Sequence, residues 1–119
     1  MSRAARSVFV FGLYLLGTAA VLVLAPNVLL GMLGIAPTTE PWIRVLGLIV
    51  AVLGAYYIVA ARAELTPFLR ATVWARAIVM IGFASLAVLS LAPVALAGLG
   101  VVDGLGALWT WSALRAGKT

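Results

Sequence analysis

The chain contains neither cysteine nor histidine. Without thiols there is no disulfide relay, no thiolate nucleophile and no iron–sulfur cluster. Without imidazole, zinc, haem and copper lose their usual ligands, so no metal and no cofactor is expected. Charge is also scarce: 9% of the 119 residues, where a soluble domain keeps roughly a quarter. Only Glu40, Glu64 and Asp103 are acidic, and their spacing puts them at three different depths, so a catalytic carboxylate pair is missing. Ser85, Ser90 and Ser112 have no histidine to act as their base, and no glycine-rich phosphate loop follows a strand. These absences weigh against an enzyme.

What remains is apolar. Hydrophobic residues make up 66% of the chain, and the mean hydropathy is +1.24. Such a chain cannot cover itself with polar surface, so lipid must be its solvent. Four apolar segments, residues 7–25, 41–61, 67–91 and 94–114, are each about as long as the roughly 20 residues that cross a 30 Å hydrocarbon core. Backbone groups in lipid must be satisfied within the segment, which makes each one a helix; the alternating segments of about 10 residues that a β-barrel needs are absent. The expected fold is all-α, a four-transmembrane-helix bundle forming one integral membrane domain over residues 1–119. The first segment follows Arg3 and Arg6 but is longer than a signal-peptide core, and it is taken as a span. Pro26-Asn27 interrupts it. The short apolar piece Val28 to Ile35 beyond either lies at the interface or continues the first helix. Thr39 and Thr66 are expected as N-caps, with Pro41 and Pro67 in the first turns that follow. The segments share no motif at a fixed offset, so an inverted repeat has no support.

The net charge of +5 reads as topology. Four spans put both ends on one side. Arg3, Arg6, Arg62, Arg70, Arg115 and Lys118 collect there, with Arg44 alone opposite. The bias predicts a multi-pass protein with both termini cytoplasmic. Nucleic acid is not an expected partner, because no basic face remains after insertion. The lipid bilayer is, and a membrane protein partner or a second copy of the chain could be.

Asp103 lies in the middle of the fourth segment. A carboxylate at that depth costs about 2.5–3.5 kcal/mol on insertion scales. A rise of about 1.5 Å per residue places Asp103 about 18 Å from the basic side, Arg76 about 9 Å and Arg44 about 27 Å. Asp103 therefore falls between two arginines, either of which could pair with it. Arg44 could instead pair with Glu40 one turn away and reach the interface. Tyr57, Tyr14 and Thr110 fall near the depth of Arg76. The expected buried polar cluster is Asp103, Arg76, Arg44, Tyr57, Tyr14 and Thr110. It is either an ion pair that fixes helix register or a ligand or proton site. Gly47, Ala51 and Gly54 share a face of the second segment, and Gly100 and Gly104 form a G-x-x-x-G in the fourth; both stripes are read as helix-packing surfaces. Trp42, Trp74, Trp109 and Trp111 read as interfacial or lipid-facing anchors.

Two stretches carry a resemblance. One runs Pro41-Trp42-Ile43-Arg44, Gly47, Gly54-Ala55-Tyr56-Tyr57, Ala60-Ala61-Arg62, Pro67-Phe68-Leu69-Arg70-Ala71-Thr72-Val73 and Arg76. The other is Val102-Asp103-Gly104-Leu105-Gly106-Ala107-Leu108-Trp109-Thr110, ending Ala113-Leu114-Arg115. Together they resemble small bacterial four-helix integral membrane proteins, loosely DoxX-like. The resemblance implies fold and membrane location and no particular activity. The cysteines of redox-active members of that group are missing here. Small multidrug exporters carry an acidic residue in their first helix, which this chain does not, and dual-topology fluoride channels have a weaker charge bias. The leading expectation is a small polytopic inner-membrane protein with an accessory or a lipid- or small-ligand-binding role centred on the Asp/Arg cluster. A small oligomeric proton-coupled transporter or channel is the alternative, followed by a membrane enzyme acting on a lipid.

Overall fold

In a computed structural model describing residues Met1–Ala116, the chain folds into five helices. They are α1 (Arg3–Leu24), α2 (Pro26–Met32), α3 (Trp42–Arg62), α4 (Thr66–Val88) and α5 (Val94–Ala116). No strand occurs among the described residues. α1, α3, α4 and α5 are each long and apolar enough to cross a membrane. Lys118 lies outside the described residues.

Local chemistry sets the helix ends. Ser2 caps α1, its hydroxyl accepting from Ala5 N at 3.0 Å, so the first helix starts well before the apolar run does. The chain breaks at Ala25 (φ −146°), and Pro26, which needs no donor of its own in a first turn, opens α2. The piece after the first span is therefore a separate helix of about two turns and does not continue α1. Neither expected threonine cap forms. Thr39 lies before the start of α3, whose cap position is occupied by Pro41. Thr66 is already inside α4, behind Leu65. The loop between α2 and α3 is clipped instead by Asn27, which accepts from Thr38 N (2.9 Å) and donates to Thr38 O (3.2 Å). α4 ends at Val88, three residues short of the expected boundary.

Three helices stop in the same way. Ile35 N bonds Leu30 O, Leu65 N bonds Ala60 O and Leu91 N bonds Leu86 O, at 2.8, 3.0 and 2.9 Å. Each bond spans a residue with positive φ: Gly34 (74°), Glu64 (51°) and Ser90 (59°). This is the six-to-one closure that satisfies the last carbonyls of a helix. Only Gly34 meets it without steric cost.

The spans associate unevenly. α1 packs chiefly on α3, and α4 on α5; α1 also lies along α5, while α4 touches α1 and α3 only briefly. Glycines set the two main pairings. A Cβ on Gly12 would stand 3.1 Å from the Gly54 carbonyl, and one on Gly54 3.1 Å from the Gly12 carbonyl. A Cβ on Gly47 would stand 2.9 Å from Leu22 Cβ. Across the other pair, a Cβ on Gly100 would stand 3.1 Å from Phe83 Cβ, and one on Gly104 would overlap the Met80 sulfur. Ala51, on the same stripe as Gly47, is half-buried. With no hydrophobic drive between helices in lipid, such close backbone approach is what supplies dispersion contact.

All four spans contribute to one buried cluster, at the basic end: Ala4, Ala5, Val8 and Phe11 from α1, Tyr57 and Ala61 from α3, Leu69 from α4 and Ala113 from α5. The opposite end has a smaller cluster of Leu22, Leu30 and Ile43, drawn from α1, α2 and α3 only.

Candidate functional site

Arg76 is the largest side chain buried almost completely, at 2% exposure. Its Nε donates to Thr72 O (3.1 Å), one turn back on α4. Its Nη2 donates to Thr72 Oγ1 (3.0 Å) and across to Thr110 Oγ1 on α5 (2.7 Å). Thr110 and Ser7 lie 2.6 Å apart, and Ser7 Oγ donates to Ala4 O at 2.7 Å. A hydroxyl has one proton, so Thr110 must donate to Ser7. The result is a directed chain from Arg76 through Thr110 and Ser7 to Ala4 O, joining α4, α5 and α1. The guanidinium also stands 4.8 Å from the centre of the Phe11 ring and 6.0 Å from that of Tyr57. The Tyr57 ring in turn meets Phe68 edge-on at 5.7 Å. One atom is left over: Nη1 is buried without a hydrogen-bond partner. It lies against α5 where a Cβ on Gly106 would be only 3.0 Å away. Gly106 is therefore needed for the arginine to seat.

The expected cluster divides. Arg76, Thr110 and Tyr57 come together. Tyr14 is at its edge, 36% exposed, its ring 5.2 Å from that of Phe11. Asp103 is half-buried and, among the described residues, makes no hydrogen bond or ion pair; it reaches Arg76, Tyr14 and Tyr57 through charge alone. Arg44 lies elsewhere. It is exposed and donates to the Val23 carbonyl of α1, 12 residues beyond Phe11 and so about 18 Å further along that helix.

Side-chain direction explains the division. Helical side chains lean toward the N-terminus of their own helix. α4 begins at the basic end, so Arg76 leans back to Thr72 and Thr110. α5 begins at the opposite end, so Asp103 leans away from Arg76. α3 also begins at that far end, so Arg44 leans outward to the last carbonyls of α1. Rise alone puts Asp103 midway between two arginines, but the lean widens the gap to Arg76, and Arg44 is drawn off to the Val23 carbonyl. Sequence reasoning also passes over Ser7, Thr72, Phe11 and Gly106. Thr72 was findable, one turn before Arg76 on the face toward which an arginine leans. Ser7 and Gly106 carry no such signal, because their roles depend on α1 and α5 meeting.

The arrangement defines a multi-pass membrane protein with a closed cationic lock near one end and an unpaired carboxyl deeper in the bilayer. No family model matches this chain, and neither does any curated protein or solved structure.

Proposed function

We propose that this is a small accessory or ligand-binding membrane protein whose recognition group is Asp103. The observation that carries the reading is that Asp103 makes no hydrogen bond or ion pair among the described residues, while Arg76 is held by Thr72, Thr110 and Phe11. A carboxyl at mid-bilayer depth costs several kcal/mol unless it is paired or protonated. Its natural complement is a hydrogen-bond donor or cation on a membrane-dissolved ligand or on a neighbouring helix. In this reading the termini are cytoplasmic, as the charge bias favours, and the protein belongs with the small DoxX-like four-helix proteins of the bacterial inner membrane that its sequence resembles.

The test is purification of the protein and of Asp103→Asn in mild detergent, with mass spectrometry of whatever co-purifies. A lipid, quinone or polypeptide retained by the former and lost from the latter is the expected result. Identical retained species on both overturn the reading. The same unpaired carboxyl also favours a second reading, a proton-coupled transporter in which Asp103 takes up and releases the proton. That reading requires pH-driven flux in proteoliposomes that Asp103→Asn abolishes.

A further inference from the structure

At the basic end, a cleft of about 170 Å³ separates the outer faces of α4 and α5, lined by Arg70, Val73, Trp74, Trp111, Leu114 and Arg115. Its walls match. On α4, Trp74 follows Arg70 by four residues; on α5, Trp111 precedes Arg115 by four. Residues four apart share a helix face. Because the helices run in opposite directions, both arginines sit at the rim and both tryptophans one turn deeper, about 6 Å by helical rise. Trp74 is 70% exposed and Trp111 45%. Exposed apolar residues continue each stripe inward, Ile78 on α4 and Leu108 on α5.

Two guanidinium groups on one cleft repel unless an anion lies between them, and none of the acidic side chains, Glu40, Glu64 and Asp103, lines this one. The Glu64 carboxylate is bonded to Ser2 N at 2.7 Å. Asp103 is 12 residues, or about 18 Å, deeper than Arg115. Glu40 is in the loop at the opposite end. Arg115 is meanwhile pre-positioned, its guanidinium 4.9 Å from the centre of the Trp111 ring, which leaves its donors free while restricting the side chain. From rim to depth, the order is paired cations, then aromatic rings, then aliphatic side chains. A phospholipid presents phosphate, glycerol-ester region and acyl chain in the same order.

We propose that the Arg70–Trp74/Trp111–Arg115 cleft is a binding site for one anionic phospholipid. The phosphate sits between the two guanidinium groups, the ester region lies over the two indoles, and the first acyl carbons run along Ile78 and Leu108. This site is separate from Asp103 and stands whether or not that carboxyl binds anything.

The experiment is native mass spectrometry of the protein released from nanodiscs containing equal amounts of phosphatidylglycerol and phosphatidylcholine. The unmodified protein should retain one phosphatidylglycerol in preference to phosphatidylcholine. Arg70→Gln/Arg115→Gln should lower that preference roughly tenfold or more, since each cation near an anionic surface contributes about a factor of five. Arg70→Lys/Arg115→Lys should keep part of it. Arg3→Gln/Arg6→Gln, with the same change in net charge, should keep all of it. Glycerol phosphate added in water should not displace the lipid. Equal retention of the two lipids, an equal loss in the Arg3/Arg6 variant, or displacement by the free headgroup would each overturn the assignment.

Discussion

The two ends of this bundle are held by different means. At the basic end four spans meet, and a guanidinium, two threonine hydroxyls and a serine hydroxyl tie three of them together. At the opposite end α1, α2 and α3 share a small apolar cluster. There α4 and α5 are held mainly by each other, through Met80 and Phe83 against Gly100 and Gly104. Glycine contact makes helix pairs along the whole molecule; polar bonding joins the pairs into a bundle at one end only. In lipid this is physically sensible. Apolar faces gain little from leaving hydrocarbon for each other, so joining two pairs depends on close backbones and on hydrogen bonds that hydrocarbon cannot replace.

The comparison can be broken most severely at Gly54, because the α1–α3 pairing serves both ends. Gly54→Leu places a branched side chain where a single Cβ would already stand 3.1 Å from the Gly12 carbonyl and 3.2 Å from Leu15 Cβ. Backbone cannot yield as a side chain can, and the expected outcome is loss of the monodisperse folded species on size exclusion. Thr110→Val should act at the basic end alone. It removes the acceptor for Arg76 Nη2 and the donor to Ser7, at a cost of about 1 kcal/mol and at most about 2. Hydrogen exchange should rise around Ser7 and Thr72 and stay unchanged around Leu22 and Ile43. Asn27→Ala makes the complementary cut. It opens the Thr38 clip, costs about 0.5–1 kcal/mol, and should raise exchange only near α2 and the start of α3.

The smallest effect is expected from pH. Ser2, through its side chain and its backbone N–H, holds the Glu64 carboxyl below the usual carboxylate range, and the N-terminal ammonium adds to this. A depressed folded value means that the tie is fully present above the ordinary carboxylate pKa and is lost as pH falls through the depressed one. Proteolytic nicking near Ser2 should therefore increase only in acid well below neutrality. Glu64→Gln should remove that pH dependence.

Span number and position are legible in the sequence because hydropathy over about 20 residues depends on nothing outside the segment. Gly47, Gly54, Gly100 and Gly104 are legible for a related reason: helical spacing shows which small residues share a face. Their partners are not legible. Nothing local says that Gly54 meets Gly12 or that Gly106 makes room for Arg76. The Asp103–Arg76–Arg44 constellation shows the limit most clearly. Depth follows from counting residues, whereas contact also depends on which way each helix runs and so which way its side chains lean. Thr39 and Thr66 are a smaller instance. Both stand at plausible starts, but Pro41 and Leu65 occupy the cap positions, and the real side-chain caps and clips come from Ser2 and Asn27.

The separation of Asp103 from the Arg76 lock is the claim on which the functional reading stands. A double-mutant cycle on Arg76→Gln and Asp103→Asn, read by thermal unfolding in detergent, tests it most directly. Two groups that act on each other through charge alone, with no bond between them, should couple weakly, by about 1 kcal/mol or less. Arg76→Gln should lower stability, and Asp103→Asn should leave it unchanged or raise it. A coupling of about 3 kcal/mol, with Asp103→Asn as damaging as Arg76→Gln, is what breaking a buried ion pair produces. That result would contradict the account.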